Sequence, residues 1–208
     1  MGRAVLIYGR SGSGKSRALK NFAEDEILLV NVINKDLPFR KKFKYEYRTD
    51  NYEKIKKALK TMPIKTAVID DAGYLQTNSF MKNHSAPKYG GDVYSLYNNL
   101  ADNFWSLFQF VSDELPEEAV VYIMMHELKN DYGDTKLRTI GKLLDEKVCI
   151  EGLVTVALRC MVEGTRHFFR TQSDGTDISK SPEDMFPLEI ENDLKMVDDA
   201  IRQYYNIK

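Results

Sequence analysis

The chain has 208 residues, 43% apolar and 29% charged, which suits one well-buried core and is too short for two large α/β domains. A net charge of −1 excludes a uniformly basic coat, so any contact with nucleic acid must come from a local patch. No apolar run approaches the ~18 residues of a membrane span, no signal peptide opens the sequence, and Cys149 and Cys160 form no metal or redox motif. The expectation is a cytoplasmic protein without membrane contact.

"RAVLIY" (3–8) predicts a buried strand, and a helix is expected from near Gly14 through "KSRALKNFA". "ILLVNVI" (27–33) is a second buried strand, rich in β-branched residues. "FKYEY" (43–47) is a charged strand that suits a sheet edge. "NYEKIKKALKTM" (51–62) reads as a helix capped at Asp50 or Asn51 and closed by Pro63, and "TAVID" (66–70) as a buried strand. Between 93 and 113, Val93, Leu96, Tyr97, Leu100, Phe104, Leu107, Phe108 and Val111 repeat at helical spacing and give one broad apolar face. "AVVYIMM" (119–125) is a strand; the polar "HELKNDYGDTKLRT" after it is expected as a mobile loop, and "IGKLLDEKVCIEG" as helical in part. "LVTVALRCMV" (153–162) and "HFFRTQS" (167–173) form a hairpin through "EGTR". "SPEDMF" carries the marks of a helix start, and "NDLKMVDDAIRQYY" (192–205) is an amphipathic helix with Leu194, Val197, Ile201 and Tyr204 on one side. Strands alternating with helices imply one α/β domain over 1–208, with a mostly parallel sheet flanked by helices and a C-terminal antiparallel hairpin.

"GRSGSGKS" (9–16), between the first strand and the first helix, fits G-x-x-x-x-G-K-[ST], the loop that cradles nucleotide phosphates. In that reading the amides of Gly12, Ser13, Gly14, Lys15 and Ser16 point at the β-phosphate, glycine allowing the backbone angles and a helix N-terminus adding its positive end. Lys15 bridges the β- and γ-phosphates, the Ser16 hydroxyl coordinates Mg²⁺, and Arg17 completes the nucleotide-binding set. ATP and Mg²⁺ are the cofactors expected. "AVIDD" (67–71) supplies the second half: Asp70, ending an apolar strand, holds the Mg²⁺ shell from the far side. Asp71 is either a base that orients attacking water or a cap or turn residue. His126 ends a strand; if that strand lies between the 3–8 strand and the Asp70 strand, His126 faces the γ-phosphate and reports hydrolysis, and otherwise it is a surface histidine. His84 and His167 have no partners at zinc-ligand spacing.

From Lys35 to Lys65 eleven Lys or Arg stand against four acids, with Phe43, Tyr45 and Tyr47 among them. Such a mixture suits single-stranded nucleic acid, through phosphate neutralisation and base stacking; it equally suits a solvated helix face beside a protected edge strand. Residues 174–199 carry nine acids against two lysines, which suggests oppositely charged faces meeting between subunits. The segments 77–92 and 127–139 would leave the sheet at the nucleotide end and are candidate DNA contacts or a lid.

"VLIYGRSGSGKS", "TAVIDDAGYL", "MHE", "TIGKLLDEKV" and "FFRTQSDGTDISKSPEDMF" together resemble the phage-encoded P-loop ATPases with a RecA-like core, over nearly the whole chain. Some members of that group are implicated in single-strand annealing and recombination. The resemblance implies a slow, Mg²⁺-dependent ATP hydrolase in the bacterial host cytoplasm that forms homo-oligomers and engages single-stranded DNA. Phage recombination or single-strand-binding proteins would be its partners. By the same likeness Lys180 in "SKSP" becomes a cationic finger toward the γ-phosphate, often across a subunit interface, with Arg170 as the alternative. The chain departs from the recombinases in lacking a clear catalytic glutamate after an early strand. Two other readings stay open: a P-loop small-molecule or nucleotide kinase, and a nucleotide-responsive binding module without useful turnover.

Overall fold

The structure, a computed structural model, describes residues 1–85 and 93–207, with the backbone alone for Val93. The apolar contribution expected of Val93, and the 86–92 part of the segment 77–92, lie outside the described residues. Among the described residues, strands form one mixed sheet, ordered β3 (Tyr45–Arg48), β2 (Ile27–Asn31), β4 (Thr66–Asp70), β5 (Val120–Lys129), β1 (Arg3–Gly9), β7 (Val156–Glu163), β8 (Arg166–Arg170) and β9 (Glu189–Glu191). The first six run parallel, and β8 and β9 add antiparallel pairs. A short β6 (Thr135–Leu137) pairs with the outer end of β5. Parallel strands need covering on both faces, which is why their sequences are continuous apolar runs rather than alternating ones.

Alternation then decides which helix each side chain meets. Leu6, Tyr8, Leu28, Val30, Ala67, Ile69, Val121 and Ile123 face the layer built from α1 (Tyr52–Thr61), α2 (Gly73–Asn83) and α3 (Val93–Glu114). Val5, Ile7, Ile27, Leu29, Val68, Tyr122 and Met124 face α4 (Leu194–Tyr205) and the turn of helix at Ser16–Asn21. The Asp193 side chain caps α4 by accepting from the Lys195 and Met196 amides at 3.0 and 3.4 Å.

Several expected elements are corrected. The helix after the 9–16 loop is a short 3₁₀ stretch, Ser16–Asn21, and the chain is already extended at Phe22. Ala18 and Leu19 within the stretch and Phe22 just after it are all buried. The 77–92 segment is helical up to Asn83 as part of α2. The expected mobile loop after His126 is instead ordered by the β5–β6 pairing, from Glu127 opposite Leu137 to Lys129 opposite Thr135. "SPEDMF" makes only a turn, closed by the Met185 amide on the Pro182 carbonyl at 3.3 Å. In α4, Leu194, Val197 and Ile201 are buried while Tyr204 is exposed.

At the end of the sheet away from the 9–16 loop, a buried polar cluster ties α4 to β4 and β5. Asp198 accepts from Tyr122 Oη at 2.9 Å, Thr66 Oγ1 at 3.2 Å and Arg202 Nε at 2.7 Å. Removing one charge from such a pair leaves the other buried and unmatched. Asp198→Ala is therefore expected to lose about 3–5 kcal/mol in urea denaturation, whereas Asp199→Ala, on the exposed Lys195 pair, should lose under ~1 kcal/mol.

Candidate functional site

β1 ends at Gly9, where nothing larger fits: a Cβ there would lie 2.4 Å from the Cys160 carbonyl oxygen. The chain then turns tightly, Ser13 donating its amide to the Arg10 carbonyl at 3.2 Å, and passes Gly14 at φ +111°. A Cβ at Gly14 would meet His167 Nδ1 at 2.8 Å, so both φ and space demand glycine. The loop is gripped from the β7–β8–β9 side. Cys160 Sγ donates to the Ser13 carbonyl at 3.2 Å, His167 Nδ1 lies 2.7 Å from the same oxygen, and Asn192 joins Cys160 Sγ to Arg17, each at 3.2 Å. Lys15 is buried and curls back, donating to the carbonyls of Gly9 and Arg10, both at 3.0 Å. Burial pushes its ammonium down, against the pull of Asp71, Cys160 and Asp70.

Ser16 and Asp70, 54 residues apart in sequence, meet directly. The Ser16 hydroxyl lies 2.8 Å from one Asp70 oxygen and 3.0 Å from the other. β5 lies between β1 and β4 and sets His126 opposite Gly9 in register, the strand order under which His126 comes to the site. Asp71 is both a turn residue and a site residue: it adopts a left-handed φ of 57°, and its buried carboxylate lies 3.8 Å from His126 Nδ1. The other Asp71 oxygen takes the Lys35 ammonium. Burial would lower Lys35, but the hydrogen bond to Asp71 and the charges of Asp70 and Asp71 outweigh it and hold the ammonium up. His126 is held down by burial and by Lys15, which Asp71 only partly offsets. Gly12, Gly14, Lys15, Ser16, Arg17, Asp71 and His126 line one cavity of about 350 Å³ together with Lys35 and His167.

Ser16 and Asp70 offer hard oxygen donors of the kind that Mg²⁺ takes while keeping waters or phosphate oxygens for its other positions. Among the described residues no group of three or more His, Cys, Asp or Glu could hold a metal by side chains alone. A cation at Ser16 and Asp70 must complete its shell from a ligand or from solvent.

Lys180 is not brought to this cavity within the chain. Its backbone pairs with Ala157, which lies opposite Leu6, three residues short of Gly9 and so roughly 10 Å down the sheet. Arg170 is engaged by Asp174 at 2.8 Å and Asp177 at 3.6 Å. Much of the basic run is spent internally: Lys35 on Asp71, Lys41 on the Lys20 and Phe22 carbonyls, Arg48 on Glu46, Lys60 on Glu114 and Lys65 on Glu118. Of its aromatics, Phe43 is buried, Tyr45 packs partly against the core, and Tyr47 is exposed.

Sequence reasoning missed Lys35, His167 and Asn192 as neighbours of the loop. Lys35 was submerged in the basic run, and nothing in spacing alone brings 167 or 192 to residue 13. Comparison with protein families and with curated proteins gave no match.

Burial, with the neighbouring Asp71 charge, pushes the Asp70 carboxyl up, against Lys35, Ser16 and Lys15. A carboxyl raised on folding is free of that penalty below its ordinary value of 3.8 and lowers stability at higher pH. Asp70→Asn is accordingly expected to raise the Tm of the ligand-free chain at pH 7 by ~2–4 °C, the shift that ~1 kcal/mol gives in a chain this long. The gain should shrink as the melts are repeated toward pH 4.

Proposed function

We propose that the chain is a Mg²⁺-dependent P-loop ATPase with a RecA-like core. The observation that supports this reading is the meeting of Ser16 with Asp70 beside a glycine-bent loop, Ser16 and Lys15 both lining the adjacent cavity. The loop amides of Gly12, Gly14, Lys15 and Ser16 would receive the phosphates, with Arg17 beside them; the Ser13 amide, expected among them, is instead given to the Arg10 carbonyl. Lys15, now resting on its own loop's carbonyls, exchanges those neutral acceptors for charged phosphate oxygens. Ser16 and Asp70 would hold Mg²⁺, whose chemistry is to neutralise charge on the β- and γ-phosphates. Asp71 orients the water, and His126, within reach of Asp71, carries the state of the site into β5 and the β5–β6 pair.

Any cationic finger from Lys180 has to come from a second copy of the chain, so the proposal includes a homo-oligomer. Single-stranded DNA as a partner rests on what the basic run leaves unspent, chiefly Arg40, Lys42, Lys54 and Lys57 with exposed Tyr47.

Calorimetry with Mg²⁺ and ATP, together with phosphate release, tests the reading. The wild-type chain should bind, and Lys15→Ala should weaken binding about 10- to 100-fold, the worth of a hydrogen bond to a charged group. Single-stranded DNA at low salt should speed phosphate release in the wild type and not in the variant. Absence of nucleotide binding in the wild type would overturn the proposal, and binding without any effect of DNA would remove the DNA partner from it.

A further inference from the structure

Lys35 belongs by sequence to a basic run, yet the fold removes it from that run and builds it into the cavity. The end of β2 does this. Asn31, its last residue, lies opposite Asp70 in the β2–β4 register and is itself buried. Its side chain clamps the turn that follows: Nδ2 donates to the Lys35 carbonyl at 2.7 Å, and Oδ1 accepts from the Lys35 amide at 3.2 Å. Asn34, at φ 55°, makes that turn tight enough to close. The Lys35 backbone is thus fixed beside the end of β4, and its ammonium reaches Asp71 while the side chain remains 43% exposed.

We infer that Lys35 is a specificity-determining residue that reads the terminal phosphate of a nucleoside triphosphate and, on moving to it, frees Asp71. The inference rests on the nucleotide reading of the same cavity. Lys35 lines that cavity with Lys15, Ser16 and His126. Its charge is felt by Lys15 and by His126, so two ammonium groups share a space lined by the carboxylates of Asp36 and Asp71, with Asp70 just behind Ser16. A terminal phosphate offers Lys35 a second anionic acceptor of the kind it already holds, so the exchange trades one charge-assisted hydrogen bond for another. A diphosphate has no group to offer at that position. The exchange also leaves an Asp71 oxygen with open lone pairs, the condition for accepting a proton from water. In the step that follows, the water oxygen bonds to the γ-phosphorus while the bond from that phosphorus to the β–γ bridging oxygen breaks. The nucleoside diphosphate leaves with the electron pair, and the water proton passes to Asp71. While Lys35 stays on Asp71, that oxygen is occupied.

The test is calorimetry on the full chain with Mg²⁺, using ADP and a hydrolysis-resistant ATP analogue as separate probes. Lys35→Met, which keeps the stem and removes the charge, should lower affinity for the triphosphate at least ~10-fold and leave ADP within about twofold. Lys35→Arg should retain most of the preference. Asp71→Asn, which unlatches Lys35 without removing it, should hold or improve triphosphate affinity while phosphate release falls. Equal losses for both nucleotides in Lys35→Met, or an unchanged ratio, would reduce Lys35 to a structural latch and overturn the inference alone. If Lys35→Met fails to fold, a weaker triphosphate affinity in Asp71→Asn would overturn it equally. Binding of neither nucleotide by the wild type would overturn the reading of the site, and this inference with it.

Discussion

The end of the sheet that carries the 9–16 loop is tied together by one hydrogen bond, from the Ser16 hydroxyl to the Asp70 carboxylate. Ser16 follows β1 and Asp70 ends β4, strands that are not neighbours. With β5 between them, β1 and β4 stand two strand spacings apart, roughly 9–10 Å. A side-chain contact closes that gap only because the loop after β1 arches over the end of β5 and delivers Ser16 on the far side. The glycines at 9 and 14 allow the arch, and Cys160, His167 and Asn192 hold it from the flank opposite Asp70.

The same contact concentrates charge where burial penalises it. Asp70 and Asp71 are adjacent and buried, and Lys15 beside them is buried as well. Each of these groups has a partner: Lys15 on loop carbonyls, Lys35 on Asp71, Ser16 on Asp70. Each partner is one that a polyanion with a divalent cation would replace with something more strongly charged. Buried charges of this kind cost stability, and a site that needs them for binding would exchange stability for activity.

The sequence displayed the parts whose physics is local. Buried strands appear as apolar runs such as "RAVLIY" and "TAVID", and α1 appears through the Asn51 cap, whose side chain accepts from the Lys54 amide at 3.0 Å. The loop motif and the acids of "AVIDD" were visible at fixed spacing, but their meeting depended on strand order, which spacing does not encode. What stayed hidden is long-range. β9 has only three residues, too few for a pattern. His167 reaches the Ser13 carbonyl across 154 residues, through the β7–β8 register. Lys35 looked like one lysine among eleven cations until Asn31 fixed where it points. The 3₁₀ stretch at 16–21 has only six residues, too few for an apolar repeat to reveal its period.

On the proposed reading, the oxygens of Ser16 and Asp70 form a cation site completed by a nucleotide's phosphates. The most direct measurement is anomalous diffraction from crystals grown with Mn²⁺ and a hydrolysis-resistant ATP analogue. The account predicts a single manganese peak within bonding distance of Ser16 Oγ, with Asp70 facing the ion's coordination shell and Lys15 turned from the Gly9 and Arg10 carbonyls onto phosphate. A manganese peak elsewhere, or nucleotide bound away from the 9–16 loop with Lys15 still on those carbonyls, would contradict it.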